Sequence, residues 1–375
     1  MNTNMIPATF MRGGSSKGLF FNASDLPSSQ NDRDQIFLNS MGSPDTYGRQ
    51  LDGMGGGLSS LSKAVIIEPS KRKGADIDYT FAQVSVDLPI VDYSATCGNL
   101  SAAVGPFAID AGMVKSTESM TLVRVFNTNL KHFFHANIPT RGGKFKPDGD
   151  YEICGVSGAG SKICLDYIAP GGSTTGNLLP TGKTYEILEI PGEGQFVVSI
   201  VDAGTLTIFL DSKSFDLTNT ESISVLESNT NLMETLEKIR RVVGVHLGIS
   251  TSEQDCPLGT PKICLVSKPE NFKSISGLKI NKADSDISAR YLSMGKVHRV
   301  LPATGAMCLG VASLIEGTIC NNMLLMEKKD IRISNPSGVL TISPEVTQEP
   351  EGWSVKNIRV YRTARTLMVG HVVLP

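Results

Sequence analysis

The chain lacks nearly every device that marks the common metal-dependent and nucleotide-dependent classes. Its seven cysteines, an odd number, are scattered from Cys97 to Cys320 without CxxC spacing. That pattern argues against a disulfide framework and against a zinc site, and for reduced thiols. MRGGSSKG, Met11 to Gly18, meets neither the Walker spacing nor the Rossmann GxGxxG, and GVSGAG from Gly155 lacks the GxSxG of a nucleophile elbow. His132, His135, His246 and His371 fall into no metal-ligand spacing. No run approaches the roughly 18 apolar residues of a membrane span, and MNTNMIPATF has no charged segment followed by a long apolar one. A cytoplasmic, soluble protein is the expectation. Charge of either sign is also scarce: 35 Lys plus Arg stand against 37 Asp plus Glu, a formal net charge of −2. No global field draws the molecule to nucleic acid or to a membrane, so any anion must be held by local clusters.

What the chain has in quantity is turn-forming residues, 37 Gly and 19 Pro. Strands should therefore outnumber helices. Leu122–Phe126, Phe196–Val201 and Thr205–Leu210 are short β-branched and aromatic runs bounded by turns. Tyr79–Leu88 alternates Ala82, Val84, Val86 and Leu88 with Gln83, Ser85 and Asp87, which predicts a half-buried strand. From Asn231, Leu232, Leu236, Ile239, Val243 and Leu247 recur at helical spacing. A second helix is expected over Ser285–Arg299, with Ile287, Tyr291, Met294 and Val297 on one face. At 375 residues two domains are expected. The Gly-, Pro-, Ser- and Thr-dense PGGSTTGNLLPTG places their boundary just after Gly182, giving halves 1–183 and 184–375. Each half carries a turn followed by a small-residue helix, TCGNLSAAVGPFA in the first and ATGAMCLGVASLI in the second, the mark of a duplicated unit.

Three segments are candidates for chemistry. In DYSATCGNLSAAVGPFAID, Cys97 sits on a loop between a strand and a helix, and free N–H groups at Gly98 and Asn99 would favour a thiolate or a substrate carboxylate and lower the thiol pKa. The competing reading is a small buried hydrophobe. DGMGGGLSSLSKAVII delivers Lys63 where a Gly-rich loop meets an apolar strand; partial burial, or a cation such as Lys17, would depress its amine pKa into proton-accepting range. A lysine snorkelling at a strand end is the alternative. MRGGSSKG offers Ser15, Ser16 and Lys17 around a turn that can present donors to an anion, or that is simply a hairpin. His298 reads equally as a substrate-facing donor and as a helix-terminal histidine.

Taken together, MRGGSSKGLFF, GSPDTYGRQLDGMGGGLSSLSK, DYTFAQVSVD, DYSATCGNLSAAVGPFAID, LLPTG, TPKICLV, LSMGKVHR and NPSGVL resemble the 2-methylaconitate cis-trans isomerase family of the diaminopimelate-epimerase-like superfamily, nearly end to end. The resemblance implies an α+β fold of two pseudo-symmetric halves, each a β-barrel-like sheet around a central helix, with the active site in the cleft between them and the last strand packing on the first half. Epimerases of the superfamily carry one cysteine in each half. Here Thr304-Gly305 stands where the second would be, preceded by Pro302, which argues against two-thiol epimerisation. The resemblance pairs Lys63 with Cys97 as the proton-transferring groups. It implies that Ser15, Ser16, Lys17, Gly98, Asn99, His298, Thr304 and Gly305 bind a small unsaturated polycarboxylate, that no metal or other cofactor is needed, and that the protein forms a homodimer or tetramer. The expected reaction is a 1,3-allylic proton shift on 2-methylaconitate. Relatives acting on methylitaconate, aconitate or 4-oxalomesaconate share the motifs, and a carboxylate-binding protein without turnover is the reading of a different class.

Overall fold

In the computed structural model, the described residues are 5–94, 96–324 and 330–375. Residues 1–4 of the N-terminal segment read above, and Ala95 of the Cys97 stretch, lie outside them. The chain forms two compact units, Met1–Tyr167 with Tyr361–Pro375, and Ile168–Val360.

The first unit contains strands β1 (Met5–Gly13), β2 (Ser16–Asn22), β3 (Lys63–Pro69), β4 (Ile77–Val84), β5 (Ser119–Asn127), β6 (His132–Arg141) and β7 (Ile163–Ile168), and helices α1 (Gln30–Met41) and α2 (Ser101–Asp110). The second contains β8 (Glu186–Ile190), β9 (Gly194–Asp202), β10 (Leu206–Asp211), β11 (Lys262–Ser267), β12 (Ile287–Ser293), β13 (Ile331–Asn335), β14 (Gly338–Glu349) and β15 (Gly352–Arg362, whose last two residues, Tyr361 and Arg362, belong to the first unit), with helices α3 (Thr230–His246) and α4 (Ala303–Leu314). The last strand, β16 (Ala364–Val373), returns to the first unit and pairs with β1 along most of its length.

Strand order shows the duplication directly. In the first unit it runs β16-β1-β2-β3-β4-β5-β6-β7, with β2–β3 and β4–β5 parallel and every other neighbouring pair antiparallel. In the second it runs β8-β9-β10-β11-β12-β13-β14-β15, with β10–β11 and β12–β13 parallel and the rest antiparallel. The two sequences of directions are identical. Helix α2 touches β1 and β16 from one end of its sheet and β6 from the other, so the sheet curls around it. Helix α4 likewise touches β9, β10 and β14. Both helices are built from small residues because they are buried nearly all round.

A second helix packs on the outside of each sheet. Ser29 caps α1 by accepting the Asp32 N–H, and Ile36, Phe37 and Met41 pack with Phe10, Leu19, Phe21, Ala64 and Ala82. The predicted helix from Asn231 is α3, whose Leu232, Leu236, Ile239 and Val243 pack with Ile208, Ile263 and Leu265. Truncating any one of these to alanine would cost about 2–5 kcal/mol.

Two readings change. Ser285–Arg299 is β12 and a hairpin, not a helix: Met294 and Gly295 both have positive φ and form a two-residue turn to Lys296–Val297, which pairs back on β12. The three- and four-residue apolar spacing there arises because Ile287 to Leu292 are all buried, leaving no alternation to betray a strand. The Tyr79–Leu88 strand spans Ile77–Val84, with Ile77, Tyr79 and Phe81 buried on one face, and on the other Ala82 and Val84 buried beside half-buried Asp78 and Thr80. Gln83, half-buried, lies on the same face as Tyr79 and Phe81.

Candidate active site

The hairpin β1–β2 closes through Gly14-Ser15, with Gly13 and Ser16 as its last pair. Side chains alternate along β2, so Ser16 is buried towards the α2 side, while Lys17 faces the other way with Nζ 5.4 Å from the Phe10 ring centroid. The next residue is glycine for a steric reason. A Cβ on Gly18 would lie 2.5 Å from the Lys63 carbonyl oxygen.

Lys63 opens β3 and is buried. Its Nζ donates to Gln83 Oε1 at 2.5 Å, across the strand pair that joins the two residues, and lies 4.8 Å from the Phe81 ring centroid. Gln83 is itself oriented: Nε2 donates to the carbonyls of Ser62 (2.8 Å) and Ser59 (3.0 Å), which turns Oε1 towards the lysine. Burial lowers the amine's pKa, and the charge of Cys97, when ionised, opposes that shift. No carboxylate pairs with Lys63 among the described residues; the groups that favour its charged form are Gln83 and, when ionised, Cys97. The loop before it is fixed by Gln50, whose Nε2 donates to Ser43 Oγ and Ser62 Oγ and whose Oε1 accepts the Gly57 N–H.

Cys97 lies on the loop before α2. Gly98, Asn99 and Leu100 form a turn and the helix starts at Ser101, so the amide that reaches the sulfur is Leu100 N–H, at 3.5 Å, rather than that of Gly98 or Asn99. The thiol is 3.9 Å from Ser16 Oγ. Its carbonyl accepts from Ser101 Oγ (3.0 Å) and Tyr79 Oη (3.4 Å), which fixes the backbone beneath the sulfur. Burial raises the Tyr79 pKa well above the usual phenol value, so that hydroxyl stays a donor. Asn99 Nδ2 donates to Ser15 Oγ at 3.1 Å, and Asn99 Oδ1 accepts from Arg362 Nε at 3.3 Å. The first unit thus brings Ser15, Ser16, Cys97 and Asn99 together, with Lys63 on the same face of the sheet as Ser16.

In the second unit, His298 donates its backbone N–H to the Tyr291 carbonyl at 2.7 Å, and its ring centroid is 6.3 Å from that of Tyr291. Thr304 and Gly305 lie in the first turn of α4 rather than in a turn before it. Their N–H groups precede the first intrahelical bond, Ala306 N–H to Pro302 carbonyl, and Pro302 gives no side-chain cap. Among the described residues no group of three metal-ligating side chains comes together. No described helix is long and apolar enough to cross a membrane. A cavity of about 790 Å³ elsewhere in the first unit is walled in part by Asp45, Arg49 and Asp52 and includes neither Lys63 nor Cys97.

Sequence reasoning missed Gln83, Tyr79, Ser101 and Arg362. Gln83 alone left a trace, a polar residue on a strand whose neighbours on the same face, Tyr79 and Phe81, are large aromatics.

A barrel-like sheet curled around a small-residue helix, built twice, defines the diaminopimelate-epimerase-like α+β class. A solved hydroxyproline epimerase from Agrobacterium vitis shares this fold with a TM-score of 0.57, over 100% of this chain and 94% of its own, at 14% identity. Within that class, the chain matches the family described as PrpF protein over residues 3–375, and it belongs to that family. It is 37% identical to the 2-methyl-aconitate isomerase of Cupriavidus necator over 99% of this chain and 97% of that one. A solved methylitaconate-delta-isomerase is 38% identical, with a TM-score of 0.83 over 99% of this chain and 96% of its own. The protein is an isomerase.

Proposed function

We propose that the protein isomerises 2-methylaconitate by moving a proton between allylic carbons, with Lys63 and Cys97 as the two proton-transferring groups. The observation that carries this reading is the pairing of two different acid-base groups on one face. Lys63 is an amine whose burial lowers its proton affinity, and Cys97 is a thiol whose sulfur takes an N–H donor at the start of a helix.

The chemistry asks for little more. One group, unprotonated, takes the allylic C–H proton; the C–H electron pair becomes the new double bond, and the old π pair moves towards a carboxylate as a dienolate. The other group then delivers its proton to the far carbon, so that substrate and product have the same atoms. By microscopic reversibility the two groups exchange roles between the forward and reverse directions. Each transfer contributes about 10²–10⁴-fold. Ser15, Ser16, Gly98 and Asn99 supply donors for substrate carboxylates beside the thiol. The assignment of His298, Thr304 and Gly305 as substrate contacts rests on the sequence resemblance.

The substrate is a small unsaturated polycarboxylate. Nearly equal identity to an enzyme named for 2-methylaconitate and one named for methylitaconate makes methylitaconate the second reading. The protein is proposed to act in the cytoplasm as a homodimer or tetramer, which light scattering during size-exclusion chromatography would test. The deciding experiment follows 2-methylaconitate, methylitaconate, cis-aconitate and 4-oxalomesaconate by proton NMR in deuterated water. Isomerisation of 2-methylaconitate with allylic deuterium uptake, lost in Cys97→Ser and Lys63→Ala, is the expected result. Folded protein that neither exchanges nor isomerises any of the four acids overturns the proposal, and faster turnover of methylitaconate replaces the substrate.

A further inference from the structure

Arg362, the last residue of β15, is buried at 6% exposure, yet among the described residues it meets no carboxylate. Nε donates to Asn99 Oδ1 at 3.3 Å and Nη1 to the Tyr361 carbonyl at 2.8 Å. The titratable groups acting on its charge are Tyr151, Tyr167 and Cys154, all ordinarily neutral, and burial lowers its pKa. Its surroundings add cations. Arg12 Nη1 donates to the carbonyl of the next residue, Thr363, at 3.0 Å; Lys162 Nζ lies 4.1 Å from the Tyr361 ring centroid; and Arg365 is close enough to lower the pKa of Arg12.

A guanidinium does not lose its proton near neutral pH, so this one is charged, poorly solvated and, among the described residues, without a counter-ion. That is a costly arrangement unless an anion completes it. Its place in the fold points to which anion. Thr363 accepts the Gly14 N–H at 3.0 Å, so the corner after Arg362 abuts the Gly14-Ser15 turn, and Asn99 links Arg362 to Ser15 two residues beyond Cys97. Arg362 uses two of its five N–H donors, leaving those at the Nη1–Nη2 end, a geometry matched to a carboxylate.

We propose that Arg362 binds one carboxylate of the substrate beside the Cys97 turn and so selects for a polyanion. By donating to Oδ1 it also fixes the Asn99 amide with Nδ2 towards Ser15. This rests on the polycarboxylate isomerase reading above and extends it to a residue outside the sequence motifs.

The test uses propane-1,2,3-tricarboxylate, which carries three carboxylates and no double bond to move. Its binding is measured by titration calorimetry, beside the KM and kcat of the isomerisation. Arg362→Met should weaken binding and raise KM by about 10- to 100-fold, with a much smaller change in kcat, and Arg362→Lys should recover part of the loss. Asn99→Asp places a carboxylate against the guanidinium and should weaken binding by about tenfold or more even if Arg362→Met does not fold. Binding and KM within twofold of the parent in a folded Arg362→Met protein, or in Asn99→Asp when the former does not fold, overturn the proposal. If the parent isomerises none of the acids and does not bind the tricarboxylate, the function proposed above falls and this inference with it.

Discussion

The two units share one strand order and one pattern of strand directions, yet equivalent positions hold different chemistry. Lys63 and Lys262 each open the fourth strand of their sheet. Lys63 is buried and bonded to Gln83, whereas Lys262 is half-buried and donates to Ser293 Oγ at 2.6 Å. On the neighbouring parallel strand the first unit has Gly18 and the second has Thr207, paired with Lys262. The thiols differ as well. Cys97, before its helix, faces a hydroxyl and a helix-start amide, while the second unit's Cys308 lies inside α4 and not at the matching position, donates to the Val201 carbonyl at 3.2 Å, and has its pKa pushed up to about 12 by burial. Duplication copied a scaffold, and in the function proposed above the proton chemistry is concentrated in one copy. On that proposal a pair of unlike groups needs only one site to be specialised, which would free the second helix start from carrying a thiol.

That contrast can be broken most severely at Cys97 and Lys63. Cys97→Ser or Lys63→Ala should reduce kcat/KM by about 10²–10⁴-fold, whereas Lys262→Gln should leave it within about fivefold; steady-state kinetics on the three variants would show whether the copies differ. Gln83→Leu comes next, with a loss of about 10- to 100-fold. Gln83 accepts a hydrogen bond that favours charged Lys63, so its removal should move the lysine's ionisation in kcat/KM to lower pH. A shift to higher pH would contradict the hydrogen-bond argument.

Smaller effects sharpen the comparison. Gly18→Ala should destabilise the fold by about 1–3 kcal/mol, since the new methyl meets the Lys63 backbone; urea denaturation would measure it. Stability against pH gives a further contrast. The pKa of Lys63 is lower in the folded protein than the ordinary 10.5, so its charged form penalises folding. The penalty is full below the folded pKa and fades as pH rises towards the ordinary value. This contribution to the parent's stability should therefore grow with alkaline pH and vanish in Lys63→Met, a difference between two urea-midpoint curves. Lys17→Ala should change kcat/KM least, within about threefold, because its amine lies over Phe10 on the opposite face from Ser16.

Much of this was readable from the chain. Apolar spacing from Leu232 to Val243 is long and regular enough to identify α3, and the repeated small-residue helices revealed the duplication. Local pattern failed where both faces of a strand are covered. Ile287–Leu292 is buried throughout, so its apolar spacing mimics a helix, and the alternation around Gln83 does not tell that its half-buried side chain meets Lys63. The Cys97 and Lys63 turns stood out because their signals are contiguous. Arg362 left no signal, since it reaches Asn99 across 263 residues and nothing in NIRVYRTAR announces the contact.

The return of β16 to β1 has a consequence for synthesis. The second unit is one continuous segment and has all its strands once Arg362 has been made, but the first lacks the strand that borders β1 until Ala364–Val373 emerge. The unit that carries Lys63 and Cys97 is thus the first to be translated and the last to be completed. Until that final strand arrives, β1 presents an unpaired edge. A ribosome-bound chain halted before Ala364 should accordingly expose β1 to amide exchange while β8–β15 are already protected.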